Sequence, residues 1–188
     1  MEIKKVAPRI ACLITSLLVA GCAKPYLATE PVPGPSAKVR LIAQGAGYGL
    51  FSAVHINGHC KDMRSLGQII GSENWNAKGD IEVSNLEMID SSSIPNHTKI
   101  ERKFRARVPL TIETQALTPA RAVAGGIATS SCRITATFTP EPQGEYELAY
   151  NMSNGFCTLD ISRLSLDAGN SVIRTPVTYV KQEHERCW

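Results

Sequence analysis

An alternation of apolar and polar residues between Cys132 and Leu164 is the strongest constraint on how this chain folds. Two runs, 132–139 and 146–152, alternate with period two, and a third run of the same kind follows them. The segment 140–144 and the pair Asn154-Gly155 separate the runs. This pattern predicts an antiparallel meander of three strands, with one face on a core and the other in water.

Shorter runs of this kind occur along the rest of residues 37–188, whose length fits one domain. With the meander they favour an all-β fold, an antiparallel β-sandwich of immunoglobulin-like or transthyretin-like architecture. A small β-barrel is the alternative. Ala116 to Ala128 alone hints at a helix, and a short one, because Pro119 and Gly125-Gly126 interrupt it. The other predicted strands are 38–43, 50–56, 59–63, 81–83, 99–114 and 172–179.

Four cysteines fall within the predicted domain, an even number that is typical of disulfides in an oxidising compartment. We expect Cys132 to pair with Cys157, which closes a local loop, and Cys60 with Cys187, which ties the C-terminal tail to the body. The two other pairings stay open. If Cys132 and Cys157 flanked a common middle strand in a flat sheet, they would lie about 10 Å apart, beyond the reach of a disulfide.

The first 22 residues have the layout of an export signal. Cations precede an apolar stretch from Ile10 to Ala20, which is too short for a bilayer that requires about 20 apolar residues. The motif Val19-Ala20-Gly21-Cys22 resembles the lipobox of bacterial lipoproteins, in which the cysteine is lipidated and becomes the first residue. The alternatives are an uncleaved anchor and ordinary cleavage that leaves Cys22 unmodified. The cations are Lys4, Lys5 and Arg9.

This resemblance implies that Cys22 carries a thioether-linked diacylglycerol and a fatty acyl group such as palmitate on its amine. Several acyl chains make such attachment to membrane lipid effectively permanent. In this family an aspartate after the cysteine commonly retains the protein at the inner membrane. Because that position is Ala23 here, the resemblance implies a location in the cell envelope at the outer membrane, facing the periplasm.

Residues 22–36 are predicted to form the lipidated cysteine and a tether, after a signal peptide over 1–21 and before the domain at 37–188. Four prolines within residues 24–36 favour extended backbone and a semi-rigid spacer. Loss of residues 1–21 removes three cations and one anion from totals of 20 and 17, which leaves 17 against 16. A nearly neutral mature chain does not favour nucleic acid as a partner.

Lys103, Arg105 and Arg107 alternate with apolar neighbours, which places three cations on the solvent side of one strand. Such a face can bind an anion: a lipid phosphate, an acidic polysaccharide or an acidic partner surface. The pattern favours the simpler interpretation, a solvated strand whose cations and Pro109 prevent edge-to-edge pairing.

The sequence contains none of the nucleophile or zinc-protease motifs GxSxG, HExxH and SxxK. His55, His59 and Cys60 surround the pair Asn57-Gly58, a strong hairpin turn that would send the two histidines to opposite faces. We therefore predict no catalytic residue, no metal site and no cofactor.

The stretch from Phe138 to Glu147, followed by Cys157, is similar to a turn in small proteobacterial lipoproteins of no assigned function. That resemblance implies no activity. We expect a membrane-anchored, non-enzymatic binding or scaffold module that contacts an envelope protein partner. The alternatives are a lysozyme-inhibitor-like protein, which would need a protruding loop such as 91–98, and a cell-wall-modifying enzyme.

Overall fold

The computed structural model describes residues 32–44, 49–55, 63–70, 86–95, 98–118, 121–123, 126–128, 131–153 and 156–182. Within these ranges the chain forms β-strands and one short 3-10 helix, Ser91–Ser93, with no α-helix. The strands are β1 Ser36–Gln44, β2 Gly49–His55, β3 Met63–Ile70, β4 Lys99–Arg105, β5 Leu110–Leu117, β6 Arg121–Val123, β7 Gly126–Ala128, β8 Ser131–Phe138, β9 Glu145–Ser153, β10 Phe156–Leu166, β11 Val172–Pro176 and β12 Val180–Gln182.

The strands form two five-stranded sheets and one separate hairpin, β6–β7. In the first sheet the order is β11-β10-β9-β1-β4, and in the second it is β12-β8-β5-β2-β3. The two sheets do not close into a barrel, so the prediction of a β-sandwich is confirmed and the barrel alternative is wrong. Most neighbouring strands are antiparallel, but β1 and β9 run parallel at the centre of the first sheet.

The core lies between the sheets and follows from the period-two alternation of the strands. In β1, for example, Ala37, Val39 and Leu41 are buried in the core cluster, while the residues between them point to the outer face. Aromatic residues join the two layers: the ring centroids of Phe138 in β8 and Tyr146 in β9 lie 5.4 Å apart.

A disulfide between Cys132 and Cys157 connects the two sheets, as the preferred pairing predicted. Cys132 lies in β8 of the second sheet and Cys157 in β10 of the first, and their Cα atoms are 6.1 Å apart. The conflict with a flat meander disappears because the two strands face each other across the core. Nearby, the Tyr150 hydroxyl donates a hydrogen bond to the Cys132 carbonyl at 2.9 Å.

The meander predicted over 132–164 is wrong in one of its two connections. β9 and β10 form the expected hairpin, but β8 lies in the other sheet. Six residues, 139–144, join β8 to β9 and two of them are prolines, whereas hairpin loops usually have two to five residues. Alternation does not distinguish a hairpin from a crossing between sheets, because both connections keep the same residues on the core.

Hydrogen bonds fasten the crossing segment 139–144 to the start of β1. The Gln143 N–H donates to the Ser36 carbonyl at 2.8 Å, and the Lys38 N–H donates to the Gly144 carbonyl at 2.9 Å. A Cβ atom at Gly144 would lie 2.6 Å from the ring of Tyr146, so this close approach requires glycine. The crossing therefore delivers β9 to the edge of β1, where it pairs in parallel.

Two further expectations are corrected. The helix suggested for Ala116 to Ala128 is absent from its described residues, which form the end of β5 and the strands β6 and β7. The single strand predicted over 99–114 is two strands in different sheets, β4 and β5, because the chain changes sheets at 106–109. Strand 81–83, most of strand 59–63 and the turn Asn57-Gly58 lie outside the described residues.

Removal of the inter-sheet disulfide is expected to destabilise the fold. The bond closes a loop with a sequence separation of 25, for which the loss of unfolded-state entropy corresponds to about 3 kcal/mol. A Cys132→Ala/Cys157→Ala double variant should therefore show a lower urea midpoint with a stability loss of that size. Unfolding of the unmodified chain with and without reductant is the control, and equal stability in both conditions would contradict the prediction.

Candidate functional site

The outer face of the first sheet carries charged side chains that are buried, although the alternation predicted that this face lies in water. Arg40 in β1 and Glu101 in β4 have no exposed surface, and Glu147 in β9 is 3% exposed. The expectation fails here because a segment over residues 86–95, which we call the strap, contacts this face. The charged cluster beneath and beside the strap comprises Arg40, Lys99, Glu101, Glu147 and Arg174.

Arg40 and Glu147 form the centre of the cluster. Two donors of the guanidinium, Nε and Nη2, bind the same carboxylate oxygen, Oε2, at 3.1 and 2.6 Å. The third donor, Nη1, binds the Ile89 carbonyl of the strap at 2.9 Å. Since Arg40 and Glu147 are opposite each other in the register of β1 and β9, period-two alternation delivers both side chains to the outer face.

Arg174 approaches Glu147 from the opposite side, from the edge strand β11. Its Nε donates to the other carboxylate oxygen, Oε1, at 2.7 Å, and its Nη2 lies 3.5 Å from Asp90 Oδ2 in the strap. Burial by itself would raise the pKa of Glu147, but hydrogen bonds from Arg174 and Arg40 outweigh it and lower that pKa. In return, the hydrogen bond to Glu147 raises the pKa of Arg174.

Glu101 recognises the strap through both of its oxygens. Oε1 accepts a hydrogen bond from the Ser91 hydroxyl at 2.6 Å, and Oε2 accepts one from the Leu86 N–H at 2.8 Å. The Lys99 ammonium also binds Ser91, at both the hydroxyl and the carbonyl oxygen. Buried charges of this kind are tolerated where each oxygen and each N–H has a partner.

A second pair at the start of β9 completes the contacts with the strap. The Lys38 ammonium and Glu145 Oε1 lie 2.9 Å apart, and the other oxygen, Oε2, accepts the Ile89 N–H at 2.6 Å. Asp90 has a φ of 60° and Glu87 a φ of 50°, in the left-handed region that few side chains prefer. The side-chain contacts thus hold the strap in a conformation that its own backbone does not favour.

Chemically, the charged cluster is suited to holding the strap in place. Glu147 is a weak proton acceptor at neutral pH, because its lowered pKa favours the ionised, hydrogen-bonded state. Within the described ranges, no group of three or more His, Cys, Asp and Glu side chains is placed to hold a metal ion. Among the same residues, no helix has the length and apolar composition that a membrane span requires.

The predicted site residues fall at three different places. Cys132 and Cys157 are joined, whereas Cys22, Cys60 and Cys187 lie outside the described residues. Lys103 and Arg105 are exposed on the outer face of β4, as predicted, and β4 is the last strand of its sheet in the described part of the chain. Arg107 is exposed too, but it lies in the turn after β4.

Sequence reasoning missed the charged cluster, although a signal for it was present. Lys38 and Arg40 alternate with core residues in β1, and Glu145 and Glu147 do so in β9. Cations two residues apart in one strand and carboxylates two residues apart in another indicate cross-strand ion pairs if the two strands are neighbours. The parallel pairing of β1 with β9, which links residues more than 100 positions apart, could not be inferred from local patterns.

The chain was compared with protein-family models, with curated proteins and with solved structures, and none of them matches it. The resemblance of residues 19–22 to a lipobox and the immunoglobulin-like or transthyretin-like architecture therefore stay predictions.

Replacement of Glu147 by glutamine should destabilise the protein in a pH-dependent way. Loss of this carboxylate leaves the buried Arg40 without its counter-ion, which at neutral pH costs about 3 kcal/mol. A carboxylate with a lowered pKa stabilises the fold above its ordinary pKa of 4.5, and this contribution disappears as the pH falls through the folded-state pKa. Urea unfolding of both proteins between neutral pH and about pH 3 measures the difference, which should narrow in acid.

The control for this prediction is Glu141→Gln. Glu141 also pairs with an arginine, Arg163, but both side chains are about half exposed or more, and such pairs contribute up to about 1 kcal/mol. A Glu147→Gln variant no less stable than this control would contradict a supporting role for the charged cluster.

Ser91→Ala should loosen the strap without disturbing the sandwich. The substitution removes the hydroxyl that Glu101 and Lys99 share, which leaves buried charged groups short of a partner at a cost of about 1 to 3 kcal/mol. Hydrogen exchange should become faster at the amides of Leu86 and Ile89 and stay unchanged in β9. Ser92→Ala, at the exposed neighbouring serine, is the matched control, and equal exchange in the two variants would refute the prediction.

Proposed function

We propose that this protein is a lipid-anchored module of the cell envelope that acts by binding or scaffolding and not by catalysis. The observation that carries the proposal is the motif Val19-Ala20-Gly21-Cys22 at the end of a short apolar stretch that follows three cations. Lipidated Cys22 attaches the chain to the outer membrane on its periplasmic side, and the proline-rich residues up to Ser36 hold the sandwich near the lipid.

The disulfide between the two sheets supports an exported location. Stable disulfides persist in oxidising compartments such as the bacterial periplasm and are rare in the cytosol. Cys132–Cys157 joins strands of different sheets, so it stabilises the sandwich as a whole.

The chemistry of the outer face supports a role without catalysis. The carboxylate oxygens of Glu147 and Glu101 are occupied by arginine, serine and backbone donors. A general base needs a pKa near the working pH, whereas the pKa of Glu147 is lowered. The buried charges thus serve the strap and the sheet.

Exposed apolar side chains supply a means of binding an envelope protein. Phe156 is 79% exposed at the start of β10, and Val180 is 63% exposed in β12. Large aromatic and aliphatic side chains of this kind anchor protein interfaces. The nearly neutral mature chain is consistent with a protein partner and does not favour nucleic acid.

The proposal predicts a defined chemical state for the full chain expressed in a Gram-negative host. Mass spectrometry of the membrane fraction should find Cys22 as the first residue, with diacylglycerol on its sulfur and an acyl group on its amine. A Cys22→Ala variant should lack this modification. After crosslinking of native envelopes, a protein that is recovered with the chain carrying Cys22 and lost with the Cys22→Ala variant would be the partner. An unacylated Cys22 would refute the anchor.

A further inference from the structure

The topology brings the start of the domain and two of the predicted cations to the same end of the sandwich. β1 begins at Ser36, and β4, its antiparallel neighbour, ends at Arg105, directly opposite Ser36 in the register. The Ala106 N–H donates to the Pro35 carbonyl at 2.8 Å. We call this end, with the turn 106–109 and the crossing segment 139–144, the tether end.

Arg105 and Arg107 are exposed at the tether end and available for a ligand. In the described part of the chain, neither side chain forms an ion pair or a hydrogen bond. Other charged groups at this end are engaged with each other: Lys38 pairs with Glu145, and Arg163 pairs with Glu141.

The acidic residue of the adjoining hairpin is also engaged. At the tip of the β10–β11 hairpin, Asp167 Oδ1 accepts hydrogen bonds from the N–H groups of Gly169 and Ser171, both at 2.8 Å. Lys38 and Arg163 neutralise Glu145 and Glu141, and the hydrogen bonds to Asp167 hold its carboxylate within its own hairpin, so these carboxylates compete little for Arg105 and Arg107. Lys103, two residues before Arg105 on the same outer face of β4, is exposed too.

The backbone holds Arg107 in a fixed position. Its φ is 63°, a left-handed conformation that costs a residue other than glycine about 1 kcal/mol or more. The Arg107 N–H donates to the Pro140 carbonyl of the crossing segment at 2.8 Å. This contact between two connections fixes the backbone from which the exposed Arg107 side chain extends.

The tether is short enough to keep this end close to a membrane. Twelve residues lie between Cys22 and Pro35, the residue that contacts Ala106. A proline-rich chain of this length spans about 40 Å when extended. Since Pro35 lies beside Ala106, the end that carries Arg105 and Arg107 is also the end that Cys22 holds to the lipid.

We propose that the tether end is a membrane-facing surface and that Arg105 and Arg107 bind the anionic headgroups of the lipid in which Cys22 is anchored. The inference rests on the proposed lipid anchor and extends it: the acyl chains attach the protein, and the arginines orient it. The binding is electrostatic, so it requires anionic lipid and weakens with salt. In this orientation the opposite end, with the disulfide and the exposed Phe156, points away from the membrane.

The test is arginine footprinting of the full chain purified from membranes and reconstituted into vesicles. One set of vesicles is phosphatidylcholine, and in the other about two fifths of the lipid is phosphatidylglycerol. Phenylglyoxal modifies accessible arginines, and mass spectrometry reports the rate at each residue and the acylation of Cys22 in the same sample. Arg105 and Arg107 should react about fivefold more slowly on the anionic vesicles. Arg133, which lies beside Cys132 at the opposite end of the sandwich, should react at the same rate on both.

Charge variants provide the matched comparison. In an Arg107→Gln chain the protection of Arg105 should decrease, and in Arg107→Lys, which keeps the charge, it should persist. Lys181→Gln removes an exposed cation from β12 in the other sheet and should leave the protection intact. Salt at about 1 M, where the Debye length is about 3 Å, should abolish the protection of Arg105 and Arg107 by anionic vesicles.

The outcomes separate this inference from the proposed function. Equal rates on both vesicles with Cys22 acylated would overturn the membrane-facing surface and leave the anchor standing. The inference would also be overturned if free phosphate or a soluble acidic polysaccharide, added to the phosphatidylcholine vesicles, slowed the reaction of Arg105 and Arg107 as much as anionic lipid does. The arginines would then bind a soluble anion. If Cys22 is unacylated, the proposed lipid anchor is refuted. The membrane-facing surface is then refuted too, unless added anionic vesicles still slow the reaction of Arg105 and Arg107.

Discussion

The buried pairing of Arg40 with Glu147 is the interaction on which much of the first sheet depends. It joins the two central strands, β1 and β9, on the face turned away from the core. Removing two charges from water costs several kcal/mol per ion unless their remaining hydrogen-bonding groups find partners. Ile89 of the strap and Arg174 of β11 supply those partners. The strap and the edge strand are therefore parts of one electrostatic unit with the centre of the sheet.

Both faces of the first sheet are therefore covered where the strap crosses it. Core residues such as Val39 and Leu148 pack towards the second sheet, and the charged cluster lies under the strap on the other side. The apolar residues Ile42, Met88 and Leu164 are buried as well, yet they lie outside the core cluster between the sheets. A shallow second layer therefore exists on the outer face, and the strap contributes to it.

The two ends of the sandwich differ in chemistry. The disulfide is at the end where β9 finishes and β10 begins, because Cys157 pairs with Met152. β1 runs parallel to β9, so its first residue, Ser36, lies at the other end. A covalent link between the sheets thus lies at one end, and the start of β1 and the exposed Arg105 and Arg107 lie at the other.

The sequence by itself determined the all-β class, the strands with strong alternation and the β9–β10 hairpin, and it favoured the pairing of Cys132 with Cys157. These are local properties: the period of apolar residues, the turn residues and a short loop between cysteines. Only the tertiary structure decided that β8 crosses to the second sheet, that β1 pairs in parallel with β9, and that Arg40 and Glu147 are buried. The physical reason is that alternation specifies which side of a strand faces a core. The neighbour of a strand depends on contacts between residues far apart in the chain, and these form only when the whole sandwich assembles.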